Sequence, residues 1–353
     1  MKQQLSIETK GNMMTCTSEY CAVGHPDRTC DYIASHVLDQ HLAADPLSRV
    51  ALEVQLKDRF CTVSGEVSSK AGFTDAEIAE MCREAVRRIG YTDEYVRRFG
   101  EGNAVSGSSL EVVTHLSRQS PDIALGVDRD GWGDQGIFWG YAVDAPERGN
   151  MPKDHWLARG IANAVYRSGW GGLDVKTQVT TEDGLPTECV VAVPVLPEDE
   201  ASVASLVERS VRAVAWNGCE VVVNGTGRYV THGSVGDCGT TGRKLVADFY
   251  GGNSRIGGGS PWGKDPSKAD VALNVLARRK ALDYMAAHRL EEVRCAISCC
   301  IGRSEIRVAY FDGEGRQLWA MVEDAPPSKV IEHLGLRVPH YAMRCAEGLF
   351  GFE

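Results

Sequence analysis

Hydrophobic spacing along the chain alternates between a period near 3.6 and a period of two, the marks of amphipathic helices and half-buried strands. After Asp27, residues Cys30, Ile33, Ala34, Val37, Leu38 and Leu42 fall on one helical face. Val50, Leu52, Val54 and Leu56 then alternate with Glu53, Gln55 and Lys57, and a second strand through Phe60 to Val67 follows the Asp58-Arg59 turn, so a hairpin is expected. Thr74 and Glu77 spell a capping box before a helix with Ile78, Met81, Cys82, Ala85, Val86 and Ile89 inward, and Gly90 ends it. The same kit returns downstream. Pro152 opens a helix carrying Trp156, Ile161, Ala164 and Val165, and Val175 to Thr180 alternates as a strand. A helix near Asp199 buries Val203, Leu206, Val207, Val211 and Val214, and Val221 to Val223 is a strand. Further on come a long helix from Asp265 to about Ala287, strands near Glu292 to Ile301 and Arg307 to Phe311, and a helix after Pro327.

This order predicts an α+β protein of three similar units, each a small sheet covered by helices on one face. Residues 1–14 read as a loose tail, and the units are expected at 15–118, 134–227 and 228–353. The repeat rests on element order alone, because no sequence identity between the units is visible.

Composition narrows the classes. With 353 residues and 43% hydrophobic content the chain can bury several cores. A net charge of -10 argues against a nucleic-acid surface, so any anion site must be a local basic patch on an acidic background. The twelve cysteines lack C-x-x-C spacing, the first residues are too polar for a secretory leader, and no apolar run is long enough to span a bilayer. A reduced, cytoplasmic protein is expected, with Cys61 and Cys299-Cys300 packing as small hydrophobes in strands.

The chemistry concentrates between Gly225 and Lys268, where glycine recurs among basic residues. Glycine surrenders backbone entropy that only close approach or positive φ repays. Gly239 to Lys244 joins a glycine turn, two hydroxyls and an Arg-Lys pair, so N–H groups and two cations can converge on phosphate oxygens. Gly257-Gly258-Gly259 and Lys264 offer a second cradle. Asp265-Pro266 then reads as an N-cap with proline at the first helical position, flanked by Lys264 and Lys268, with Asp270 a spare carboxylate for a divalent ion. Neither run supplies the Lys-Ser or Lys-Thr of a Walker loop, and the dinucleotide fingerprint is missing.

GDCGTTGRK, YGG, GGG and GKDPSK in this order resemble the C-terminal part of the methionine adenosyltransferase (S-adenosylmethionine synthetase) family. SEYCAVGHPDR, SGEVSS, QSPDIALGVDR, GDQGIFWGYA and DVKTQVT resemble its other signature stretches, so the likeness runs from Ser18 to Glu353. It implies three α+β domains about an approximate threefold, paired sheet to sheet in a homodimer or dimer of dimers with active sites between subunits. The implied reaction is attack of the L-methionine sulfur on C5′ of ATP, then hydrolysis of tripolyphosphate to pyrophosphate and phosphate. By resemblance His25, Lys176, Arg243, Lys244, Lys264 and Lys268 are catalytic. ATP contacts fall on His25, Asp134, Asp174, Lys176, Arg228, Tyr229, Asp237, Arg243, Lys244, Ser260 and Lys264. The methionine ends fall to Glu66, Gln119, Asp237 and Lys268. Asp27 and Asp270 are implied Mg²⁺ ligands, two ions per site, and Glu53 a K⁺ ligand. Tyr229 stands where the family has phenylalanine, an aromatic able to stack on adenine.

Departures from the pattern are local. Arg28 replaces a lysine after HPD, and Cys21-Ala22-Val23 removes a carboxylate. In the implied gate region, 119–133, only Asp130-Gly131-Trp132 separates QSPDIALGVDR from GDQG, and Pro261-Trp262 is unusual before GKDPSK. These keep open an ATP-binding regulatory paralogue and the same reaction on a methionine analogue.

Overall fold

The computed structural model describes residues 14–118, 130–215 and 218–352. Three four-stranded sheets, each with helices on one face, are built from three runs of related element order, the third departing near its end. The first run is β1 (Thr15–Cys21), α1 (Pro26–Ala44), the hairpin β2 (Arg49–Lys57) and β3 (Phe60–Ser68), α2 (Asp75–Ile89), α3 (Asp93–Phe99) and β4 (Glu111–Ser117). The second is β5 (Gly136–Val143), α4 (Lys153–Ser168), β6 (Lys176–Glu182) and β7 (Leu185–Ala192), α5 (Glu200–Val214) and β8 (Glu220–Val223). The third is β9 (Gly239–Thr240), α6 (Ala269–His288), β10 (Glu292–Cys299), β11 (Glu305–Phe311) and β12 (Gln317–Asp324), then α7 (Pro327–His333) and α8 (Tyr341–Glu347).

The sheets are ordered β1-β6-β7-β8, β12-β11-β10-β5 and β4-β3-β2-β9. Each run therefore lends its first strand to a neighbour: β1 pairs with β6, β5 with β10, and β9 with β2. This cyclic exchange means that the segments 15–118, 134–227 and 228–353 do not coincide with the sheets. Alternation in a sequence marks a strand but not its partner, which is set by where its apolar face finds cover. The third run also differs internally. β3–β4 and β7–β8 are parallel pairs joined through helices, whereas β11 meets β12 antiparallel across a short turn. β12, an edge strand like β4 and β8, exposes Leu318, Trp319, Met321 and Val322.

Three cores fill the spaces between helices and sheets: α1 and α2 on β2–β3, α4 and α5 on β1, β6 and β7, and α6 on β5, β10 and β11. A fourth, aromatic cluster of Tyr141, Phe249, Tyr250, Trp262 and Phe350 joins parts of the second and third runs to the C-terminal segment. α6 is buried on several sides, and Gly140 of β5 lets it approach so closely that a Cβ would lie 1.9 Å from the Ala277 carbonyl oxygen.

Several expectations change in detail. The capping box at Thr74 and the left-handed Gly90 cap form as the pattern requires. Trp156 and Val214 sit on their helices' apolar stripes yet are 37% and 62% exposed. The long helix begins at Ala269 rather than Asp265. Asp265 is wholly buried, with its carboxylate accepting from Val50 N and Ser267 N at 2.8 Å each, so it ties a turn to β2 instead of capping a helix. Cys61 is buried in its strand, but Cys300 lies exposed just past β10, and all twelve cysteines are free thiols. No helix among the described residues is long and apolar enough to cross a membrane.

Candidate active site

α1 starts where His25, in extended conformation, accepts from Asp27 N through Nδ1 at 3.2 Å. His25 is thus the N-cap and Asp27 lies in the first turn. An Nδ1 that accepts leaves the proton on Nε2. Burial, then the Lys244 and Lys176 charges, hold the imidazole near a pKa of about 3, so it is neutral at physiological pH.

The Asp27 side chain is fully buried and accepts from Thr240 N at 2.9 Å and Lys244 Nζ at 2.5 Å, with Arg243 at 3.6 Å. Burial alone would raise its carboxyl, but the Lys244 and Thr240 bonds prevail and the pKa falls below the ordinary range. A matching pair stands at the start of α6. Asp270 accepts from Gly259 N at 2.7 Å and Lys264 Nζ at 2.6 Å. Both glycine loops are drawn in by backbone bonds to a helix-start carboxylate, and they abut. Gly242, at φ +76°, would put a Cβ 2.8 Å from that of Ser260. The segment carrying Lys264 zips onto the edge of β2, with Leu52 N to Gly263 O at 3.0 Å and Asp265 N to Val50 O at 2.9 Å. Gly257 and Gly258 are explained by packing on β5 as well, since Cβ atoms there would strike the Ile137 carbonyl and the Phe138 ring.

Around this centre, Glu53 projects from the outer face of β2; desolvation pushes its carboxyl up against the pull of Lys264. Lys176, on β6, bonds Glu19 at 2.8 Å; desolvation pulls its ammonium pKa down, but that bond together with the charges of Cys21, Glu19 and Asp27 raises it overall. Asp134, exposed at the start of β5, caps Gln135 N at 2.8 Å and lies close enough to Cys299, with Asp270, to raise its thiol behind the larger effect of burial. Ser260 accepts from Trp262 N at 3.2 Å. Lys268 is the half-buried cap residue of α6. Glu66 stands half-buried on β3 opposite Ala51, itself bridged to Lys264.

A second group surrounds Asp174. Burial raises its carboxyl to about 6, moderated by a bond with Tyr229 and by Gly233 N at 2.9 Å. Tyr229 is therefore anchored through its hydroxyl, its ring edge-on to His232 at 6.5 Å. Arg228 and Asp237 are exposed on the same loop, where Asp237 bonds Cys238 N at 2.8 Å. Gln119 lies outside the described residues, as do gate residues 119–129. Of the short remnant of the gate, Trp132 is wholly buried and exchanges backbone bonds with Arg303 O (3.0 Å) and Gly302 N (2.7 Å), while Asp130 caps Ser328.

Sequence reasoning missed the partners: Glu19 for Lys176, Thr240 N for Asp27, and the buried Arg28, Asp31 and Asp248 behind them. Arg28 and Trp262, noted separately as departures, lie against one another. A cavity of about 760 Å³ near Asp58, Arg59, Asp93 and Arg97 includes none of the candidate residues. The candidate residues instead line helix starts, loops and outer sheet faces.

Among the described residues no cluster of three or more His, Cys, Asp or Glu could hold a metal alone. Isolated carboxylates beside lysines suit Mg²⁺, which keeps waters and takes most of its oxygens from phosphates. Fold and site together define an α+β protein of three four-stranded sheets in which two lysine–aspartate pairs stand on abutting glycine loops where exchanged strands meet. Residues 13–121 and 231–353 match the N-terminal and C-terminal domains of S-adenosylmethionine synthetase. The chain is 37% identical to S-adenosylmethionine synthase 2 of Rhodospirillum rubrum, covering 95% of this chain and 91% of that one. It is 36% identical to the S-adenosylmethionine synthase of Methylobacterium sp. strain 4-46, over 96% and 92%. The solved structure of an unusual S-adenosylmethionine synthetase from Campylobacter jejuni superposes with a TM-score of 0.84 at 29% identity, over 96% and 95% of the two chains. The chain belongs to the S-adenosylmethionine synthetase family.

Proposed function

We infer that the chain forms S-adenosyl-L-methionine from ATP and L-methionine, and that the two lysine–aspartate pairs are its polyphosphate clamp. The observation that carries the assignment is the pairing itself: Asp27–Lys244 and Asp270–Lys264 stand on abutting glycine loops at two helix starts. The methionine sulfur uses a lone pair to bond C5′ as the C5′–O bond breaks, and tripolyphosphate leaves with that electron pair. A thioether carries no proton to remove, so no general base is needed. Catalysis rests on alignment and on stabilising charge that develops on the departing oxygen. Lys264, Lys244 and Arg243 exchange their carboxylate or carbonyl partners for phosphate oxygens, while the neutral His25 imidazole donates Nε2–H toward the leaving end. Lys176 adds charge on the His25 side. Asp27 and Asp270, freed from their lysines, would hold Mg²⁺, which when bound would neutralise polyphosphate charge. Glu53 is assigned to K⁺.

Asp174 orients the Tyr229 loop, and Tyr229, Arg228, Asp134 and Ser260 border the nucleoside. Glu66, Gln119, Asp237 and Lys268 hold the methionine amino and carboxylate groups. Glu53, Glu66 and Lys176 project from sheet faces, which supports a site closed by a second subunit in a homodimer or dimer of dimers. Twelve free thiols and use of ATP suit the cytoplasm. Steady-state assay of Lys264→Ala tests the clamp: the rate should fall by roughly 10²–10³-fold with the circular dichroism unchanged. Near-normal turnover would remove Lys264 from the chemistry.

A further inference from the structure

We propose that Arg28, Asp248 and Trp262 form a buried strut that fixes the spacing of the two lysine–aspartate pairs, with Arg28 and Trp262 acting as one coupled positioning unit. The proposal rests on the polyphosphate reading above. Arg28 follows Asp27 directly in α1 and is 1% exposed, so it reaches no substrate. Its guanidinium bonds one oxygen of Asp248, donates to the Cys345 carbonyl oxygen at 2.5 Å, and lies 3.4 Å from Asp31. The Trp262 ring lies 5.1 Å from the guanidinium carbon, and its indole N–H donates to the other Asp248 oxygen at 2.8 Å. Asp31 in turn accepts from Gly242 N at 2.8 Å.

One buried cation is thereby tied to the segments that bear Asp27, Lys244 and Lys264. Asp31 holds the loop that ends in Arg243 and Lys244. Asp248 ends the helical turn that follows Lys244, and its backbone N donates to the Lys244 carbonyl at 2.9 Å. Trp262 stands two residues before Lys264. α8, through Cys345, closes the far side. A guanidinium is a rigid fork that can serve two acceptors and an aromatic face at once, and leaving any of them unpaired in a buried site is costly. The strut transmits, because Asp248 is shared: the indole orients the carboxylate, and the carboxylate orients the guanidinium beside Asp27.

Two conservative variants of the full-length protein test this, Trp262→Phe, which keeps an aromatic face but removes the indole N–H with its five-membered ring, and Arg28→Lys, which keeps charge but not the fork. Each is expected to raise KM for ATP by about 10-fold, equivalent to ~1.4 kcal/mol, with KM for methionine within about twofold. The double variant should be no more than about twofold worse than the poorer single, because either change opens the same connection. A double loss equal to the product of the singles, equal rises in both KM values, or wild-type behaviour of Trp262→Phe would overturn the strut. Should Arg28→Lys not fold, Trp262→Phe alone decides by its KM split. Calorimetric titration with tripolyphosphate separates the two readings. A wild type that forms no S-adenosylmethionine refutes the synthase assignment, whereas the strut still requires about 10-fold weaker tripolyphosphate binding in the variants and falls if binding is unchanged.

Discussion

Lysine and aspartate neutralise one another twice at this site, and each pair has a definite cost when half of it is removed. Lys244→Met leaves the fully buried Asp27 with Thr240 N as its remaining close donor. We expect about 3 kcal/mol lost in urea denaturation, and most of it recovered in Asp27→Asn/Lys244→Met, because the isolated charge is then gone. Additive losses would show that the pair is not coupled. Protonation states are set just as locally. His25 stays neutral to about pH 3, so rate profiles between about pH 5 and 8 should carry no inflection that vanishes in His25→Asn. Burial lowers the His232 pKa to about 4 against the opposing pull of Val230 O on Nδ1 (2.6 Å), and Tyr95 Oη meets Nε2 at 2.6 Å. The unfolded chain binds a proton there below about 6.5 and the folded one does not, so this contribution is present above 6.5 and lost as pH falls toward 4. Asp174, raised to about 6, acts in the opposite sense, since the folded form binds the extra proton. Thermal denaturation of His232→Gln should therefore show a shallower fall between pH 6.5 and 4 than wild type, and Asp174→Asn a steeper one. Parallel curves would refute these assignments.

Elements were legible where local rules act alone. The Thr74 box and the Gly90 cap follow from two side chains and one positive φ, and Thr74→Ala should cost about 1 kcal/mol in chemical denaturation. A loss below a few tenths would mean that packing alone sets the end of α2. The start of α6 was misread for a related reason. Asp265-Pro266 has the chemistry of a helix start, but the buried Asp265 accepts from Val50 N on β2 and from Ser267 N in its own turn. β1, β4, β5, β7 and β12 carry weaker or mixed alternation. Their identity depends on partners far along the chain, such as β1 against β6, and no local pattern encodes that. The basic residues of the site could be found in the sequence because their glycine loops are dense in signal. Their carboxylate partners at the second rank, Asp31 and Asp248, carry no local mark at all.

At the scale of the whole molecule, cyclic strand exchange sets the two pairs side by side: β9 and the segment up to Asp265 leave their own run and zip onto β2, which carries the Lys264–Asp270 pair to Glu53. It also leaves apolar side chains on outer sheet faces, among them Phe60, Val113 and Ile137. A 38.4 kDa chain closed by a partner should give at least twice that mass in light scattering, with activity falling on dilution; a fully active monomer would refute the shared site. The reaction itself is tested by incubating the purified protein with ATP, L-methionine, Mg²⁺ and K⁺ and measuring S-adenosylmethionine, pyrophosphate and phosphate together. Equal amounts of all three are predicted; phosphate without S-adenosylmethionine, or ATP bound and unchanged, would contradict it.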